Sequence, residues 1–258
     1  CFSQVAAPND PLTKRFRAAA AIWQEVGHVD DAALATVLHD ANLDILIDLM
    51  GHTGGNRLPV LAGRPAPIAV TAIGYPNTTG FGAIDYRLVD SITDPPGSES
   101  LSTESLLRVD PCFLCYRPPD EAPVPAMPAE NQPTTFGSFN APAKIGGRTA
   151  ALWAEVLNAV PGSRLVLKSK DLTETCAQEA VRSRLGAAGV QGDRVEFLPA
   201  TATIAEHLSL YSRLHIALDT APYNGTTTTC EALWMGVPVV TLAGDRHAAR
   251  VGASLLRA

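Results

Sequence analysis

Apolar and polar positions along this chain follow two rhythms that keep replacing one another. Short apolar runs of strand length end in polar, glycine-bearing loops, and longer stretches with apolar residues at helical spacing follow them. The segments Lys14 to Gly27 and Asp30 to Ala41 carry the helical spacing, and the first is predicted to bury Phe16, Ala19, Ile22 and Trp23 on one side. Leu43 to Met50 reads as a strand entering the loop Gly51-His-Thr-Gly-Gly-Asn-Arg57. Ala69 to Ile73 reads as a buried strand entering Gly74-Tyr-Pro-Asn-Thr-Thr-Gly80, and Ile84 to Asp90 repeats the pattern before Thr93-Asp-Pro-Pro96. A second series predicts strands at Thr134 to Phe139, Arg164 to Lys168 and Arg194 to Leu198. Between them fall helices at about Arg148 to Val160 and at Leu172 to Ala188, the first stopped by Pro161-Gly162.

The order strand, polar loop, helix, strand is that of parallel α/β sheets, whose ligands sit outside the carboxyl ends of the strands. Six prolines between Pro118 and Pro133, among small and acidic residues, mark an extended linker. The predicted organisation is a first lobe over 1–117, a proline-rich linker over 118–133 and a second lobe over 134–258.

One stretch concentrates the candidate chemistry. Ile216 to Leu218 is a strand run; the loop that follows contains Pro222, Asn224 and Gly225; four threonines then open a predicted helix reaching Gly236, and Val237 to Leu242 reads as the next buried strand. A helix N-terminus offers free N–H groups and roughly half a unit of positive charge, which suits a diphosphate. Gly225 would admit a ligand close to the backbone, and Thr226, Thr227 and Thr228 add hydroxyl donors. The same letters fit a plain capping box, with Glu231 reaching back to Thr228. Lys144 lies in the loop after the second lobe's first strand, where doubly wound folds bind phosphate, and His207 lies on the first turns of a later helix. His52 stands in a loop at a strand's carboxyl end.

Composition narrows the classes. The chain has 258 residues, 46% of them hydrophobic, enough for two buried cores. A net charge of −6 and a pI near 5.5, with 20 scattered lysines and arginines, leave no footprint for a nucleic acid or an anionic membrane. No apolar run approaches the ~20 residues of a membrane span. Five cysteines, an odd number, make no disulfide framework and point to a reduced, cytoplasmic setting. Cys112-Phe-Leu-Cys115 has the spacing of a metal or redox pair but sits inside an apolar run, which reads as a buried strand.

Taken together, these loops resemble the catalytic region of the protein O-GlcNAc transferases and the similar Spindly-type protein O-fucosyltransferases. The resemblance is carried by Gly51-His-Thr-Gly-Gly-Asn-Arg-Leu58, Arg64-Pro-Ala-Pro67, Ile73-Gly-Tyr-Pro-Asn-Thr-Thr-Gly80, Ile84-Asp-Tyr86, Phe136-Gly-Ser-Phe-Asn140 with Lys144, and the stretch Leu218 to Glu231. It implies an α/β fold of GT-B architecture, two Rossmann-like lobes with parallel sheets, both incomplete here. It further implies transfer with inversion and without metal from a nucleotide sugar to protein Ser or Thr hydroxyls.

By the same resemblance, Lys144 is the catalytic lysine on the donor diphosphate, Thr227 and Thr228 line that diphosphate, Glu231 takes the ribose hydroxyls and His207 lies by the base; Thr226 and Ala202 are counted with the donor-binding residues. His52, Asn140 and His247 are placed at the cleft, and no metal ligand is expected. Ala141 and Ile204 depart from the animal enzymes, which carry glutamine and lysine there, so UDP-GlcNAc and GDP-fucose both stand as donors. No cofactor is expected beyond the donor; the expected partners are the nucleotide sugar and protein acceptors. The family also implies tetratricopeptide repeats and a first-lobe histidine upstream of Cys1, and a cut second lobe after Ala258. A non-catalytic nucleotide-sugar-binding or scaffold module is the alternative of another class.

Overall fold

A computed structural model describes residues 1–4, 10–129 and 131–258. The chain forms two compact units, one of 1–89 with 98–107, the other of 90–97 with 108–258. The division therefore precedes the proline-rich stretch, which belongs to the second unit; residue 130 of that stretch lies outside the described residues. The reason is a set of buried polar bonds that leave no mark in composition. In the second unit the segment 90–97 is tied to the C-terminal residues: Ser254 Oγ donates to Asp90 at 2.5 Å, Arg250 Nε to the Ile92 carbonyl at 2.6 Å, and His247 Nδ1 lies 2.5 Å from Asp94.

The first unit contains β1 (Phe2–Ser3), α1 (Pro11–Ala19), β2 (Gln24–Glu25), α2 (Asp31–Asp40), β3 (Ile45–Asp48), α3 (Leu58–Leu61), β4 (Ile68–Thr71), β5 (Tyr86–Val89) and β6 (Ser105–Arg108). Its four-stranded sheet runs β3-β4-β5-β6, with β3, β4 and β5 parallel. Asp30 caps α2 by accepting from the Ala33 N–H at 2.8 Å, and Leu34 and Leu38 turn into a core with Val26, Leu58, Leu61 and Ile84.

The helix expected over Lys14 to Gly27 is shorter. Ala20 is extended and ends it, and Gln24–Glu25 instead pair in parallel with β1. Phe16 and Ile22 are exposed, so the expected buried side does not form. Ile73 is also exposed and stands beyond β4 with a positive φ of 63°.

The second unit alternates without exception: β7 (Thr135–Ser138), α4 (Gly147–Ala159), β8 (Arg164–Lys168), α5 (Thr175–Ala187), β9 (Val195–Leu198), α6 (Ile204–Ser209), β10 (Ile216–Leu218), α7 (Thr227–Trp234), β11 (Val239–Val240) and α8 (Val251–Arg257). All neighbours are parallel, in the order β11-β10-β7-β8-β9. Alternate residues of β8 feed opposite faces: Leu165 and Leu167 join Trp153, Leu157, Val181 and Leu185, while Val166 joins Leu208, Leu214, Ala232 and Met235.

The helix expected from Leu172 begins later, because Ser169 caps a separate 3-10 turn over Lys170–Thr173. The strand expected over Val237 to Leu242 shortens to β11, a sheet edge where Val240 is exposed. Cys112 to Tyr116 form no strand; Phe113 alone is buried there, and both thiols of the pair are free.

The strand order fixes where a ligand can enter. The chain starts at β7, builds outward through β8 and β9, then returns to the other side of β7 with β10. The crevice created by that reversal lies between the carboxyl ends of β7 and β10.

Candidate donor site

Two loops reach this crevice. The first leaves β7 through Phe139 and Asn140 and arrives at Lys144 by a 3-10 turn over Pro142–Lys144. The second leaves β10 at Asp219 and opens α7 at Thr226. Asp219 organises the second loop. Its carboxylate is buried and accepts from the N–H groups of Thr220 at 2.8 Å and Gly225 at 2.6 Å and from Thr241 Oγ1 at 2.7 Å. Burial raises its pKa, against the pull of those bonds and of Lys144.

Asn224 completes the loop, donating its N–H to the Ala248 carbonyl at 2.8 Å and its side-chain amide to the Thr220 carbonyl at 2.9 Å. Its own carbonyl receives Lys144 Nζ at 2.8 Å, and that ammonium lies 3.9 Å from the Tyr223 ring centroid. Burial lowers the Lys144 pKa, while Asp219 opposes the shift.

Thr228 Oγ1 donates to Asn140 Oδ1 at 3.1 Å and closes the other side. No side chain caps α7, which leaves the first turn of the helix to a ligand. Gly225 is needed for a reason other than ligand approach: a Cβ there would stand 2.4 Å from Thr228 Oγ1 and 3.0 Å from Asn140 Oδ1.

One turn further along α7 the capping-box reading of Glu231 fails. Its carboxylate faces the other way, accepting from Tyr211 Oη at 3.1 Å and lying 3.0 Å from His207 Nε2. Tyr211 Oη also reaches the Thr228 carbonyl at 3.2 Å, tying this cluster to the helix start. Burial and then the Glu231 charge hold the Tyr211 phenol well above its ordinary range. The capping box that does form is Thr203 with Glu206, at the start of α6. The exposed Ala202 lends its N–H to that carboxylate at 2.9 Å.

The structure thus gathers Asn140, Lys144, Thr226, Thr227, Thr228, His207 and Glu231 along one helix and one crevice of the second unit. His247 is elsewhere in that unit, buried on Asp94 and edge-on to Phe113 at 4.9 Å. His52 belongs to the first unit, exposed in its loop, its Nε2 2.7 Å from the Thr79 carbonyl. Asp219, Asn224, Lys168 and Tyr211 were absent from the predicted set. Asp219 and Lys168 end strands at their carboxyl side, a signal that could have found them; Tyr211 follows α6 and gives none.

Two α/β units, the second with this crevice, are built as the lobes of the GT-B fold are. Residues 1–115 and 127–258 match the profile of Glycosyl transferase family 41, and the chain belongs to that family. The interruption falls on the proline-rich stretch. The chain is 45% identical over 253 residues to the probable UDP-N-acetylglucosamine-peptide N-acetylglucosaminyltransferase SPINDLY of Arabidopsis thaliana, covering 96% of this chain and 28% of that protein. It is 30% identical to the probable UDP-N-acetylglucosamine-peptide N-acetylglucosaminyltransferase SEC of the same plant, over 99% of this chain and 27% of the relative.

The chain thus spans little more than a quarter of these relatives. Among solved structures, a mutant of the Thermobaculum terrenum O-GlcNAc transferase superposes with a TM-score of 0.93 at 42% identity, covering 100% of this chain and 49% of that one. The galactosyltransferase WaaB, at 14% identity and a TM-score of 0.54 over 81% of this chain and 59% of its own, shares the fold alone.

Among the described residues no helix is long and apolar enough to cross a membrane, and no group of three or more His, Cys, Asp or Glu side chains is placed to hold a metal ion.

Proposed function

We propose that this chain carries the donor site of an enzyme that moves N-acetylglucosamine from UDP-GlcNAc to Ser or Thr hydroxyls of proteins, with inversion. The observation that carries the reading is the Lys144 ammonium, held by the Asn224 carbonyl beside the uncapped start of α7. Protein acceptors and the GlcNAc donor are supported by the names of the plant relatives.

In this reading the diphosphate lies between Lys144 and the N–H and hydroxyl groups of Thr226, Thr227 and Thr228. The acceptor hydroxyl gives up its proton to a general base, and its oxygen forms the bond to the anomeric carbon from the face opposite the diphosphate. The bond from that carbon to the diphosphate breaks, and its electron pair stays on the diphosphate oxygen. Charge grows there, and a fixed ammonium and a helix N-terminus stabilise it more strongly in the transition state than in the ground state. These groups supply positive charge without a metal. Glu231 takes the ribose hydroxyls, and His207 lies against the base.

The test is calorimetric titration of the chain with UDP-GlcNAc and GDP-fucose in excess chelator, with transfer to a Ser/Thr peptide measured on the full-length protein, since the chain alone is expected to be inactive in transfer. Binding of UDP-GlcNAc and transfer in chelator are expected. Preference for GDP-fucose would move the reading to fucosyl transfer. Binding without transfer in the whole protein would favour a scaffold, and dependence on Mg²⁺ or Mn²⁺ would overturn the metal-free step.

A further inference from the structure

Lys168 ends β8 with its side chain buried, 5% exposed, and the transfer described above makes no use of it. Its Nζ lies 2.6 Å from Nδ1 of His207, whose Nε2 lies 3.0 Å from Oε2 of Glu231. An ammonium has only donors and an ionised carboxylate only acceptors, so the ring between them accepts at Nδ1 and donates from Nε2. Tyr211 donates to the same Oε2, and Phe139 walls the ring at 5.7 Å between centroids. The other titratable groups leave that direction intact. The Tyr116 phenol and the Cys230 thiol are both pushed up, first by burial and also by the Glu231 charge, and the Glu206 carboxylate is engaged by the N–H groups of Ala202 and Thr203.

We propose that Lys168 is the positioning residue for the nucleoside end of the donor site. It fixes His207 as the Nε2–H tautomer, and that ring with Tyr211 holds Glu231 by Oε2 alone, so that Oε1 meets the ribose hydroxyl pair. The ribose part of this inference rests on the donor-site reading above; the tautomer does not. Burial lowers the lysine's pKa, and the Glu231 charge restores part of the shift. A lysine that merely filled space or balanced charge would leave the ring's tautomer and the reading of the ribose unrelated.

The experiment compares the parent chain, Lys168→Met and Lys168→Arg. The His207 tautomer is read by long-range ¹H–¹⁵N correlation, and affinities for UDP and 2′,3′-dideoxy-UDP by calorimetry. The parent and the arginine variant should hold Nε2–H and prefer UDP. The methionine variant should show mixed tautomers and lose about tenfold of that preference, the scale of one charge-assisted hydrogen bond. An unchanged tautomer and preference in Lys168→Met overturns the proposal, as does Nδ1–H in the parent. If Lys168→Met fails to fold, the parent's tautomer and the arginine variant decide. A parent that binds neither UDP nor GDP defeats the donor reading instead, and the ring then still tests the lysine's part.

Discussion

Thr228 donates its hydroxyl to the side-chain oxygen of Asn140 across 88 residues of sequence, at 3.1 Å, and so joins the loop after β7 to the first turn of α7. Both loops that reach the crevice are thereby held to one another. Gly225 lies under it, where a methyl group has no room.

Gly225→Ala should therefore push Thr228 off Asn140. The expected cost is about 1–3 kcal/mol of stability, the scale of overpacking in a closed site, together with weaker UDP binding. A thermal melt and a nucleotide titration of the same variant check it. An unchanged melt would mean that the loop relaxes freely and that the bond does not hold the two loops together.

Lys144→Ala should slow donor turnover by roughly 2.7–4 kcal/mol of activation free energy, the range for a lost oxyanion donor, with a smaller effect on UDP affinity. The fold should persist, because the lysine sits in a loop and belongs to neither hydrophobic core of its unit. Turnover near the parent rate would mean that this ammonium is not the group facing the leaving diphosphate.

Glu231→Gln keeps the shape but removes the charge opposite the buried Lys168. Nucleotide affinity should fall by about 1–3 kcal/mol, and the melting temperature should fall with it, because Lys168 loses its counter-charge. A capping role would have left both nearly unchanged. Calorimetry with UDP beside a melt separates the two.

In the first unit, Glu104 gives a pH signature. Burial pushes its pKa up, but bonds from Ser102, Thr79 and Thr78 outweigh this and lower it from 4.5 to about 2. The partners are Ser102 Oγ at 2.6 Å, Thr78 Oγ1 and the Thr79 N–H at 2.7 Å each, and Thr79 Oγ1. A depressed folded pKa contributes stability that is present above the unfolded value and lost as pH falls through the folded one. The contribution is on the order of 3 kcal/mol at neutral pH. Denaturant melts from pH 6 to pH 2 should show the parent losing its margin over Glu104→Gln between about 4.5 and about 2. A constant margin across that range would refute the assignment.

The second unit was legible in its strands because each is an apolar run bounded by glycine, proline or charge, a pattern that parallel sheets enforce. The helix starting at Pro11 was overextended because a partner elsewhere decided the matter: β1 recruits Gln24–Glu25 into a pair that no local preference signals. Lys144 and the threonines could be found because backbone geometry at strand ends dictates their chemistry. Glu231 illustrates the limit. The spacing Thr228-x-x-Glu231 fits a cap equally well, and only the approach of Tyr211 and His207 from the α6 side turns the carboxylate away from its own helix.

The threefold passage of the chain between its two units bears on how such a protein can be rebuilt. A graft or a recombination event cut at the proline-rich stretch would move β7 to α8 but leave behind Asp90, Ile92 and Asp94, the partners of Ser254, Arg250 and His247. The smallest transferable module that keeps those contacts begins at Asp90 and drags the 98–107 excursion with it. Crossover points that respect the fold therefore lie near Val89, inside what a composition profile would treat as the middle of a lobe.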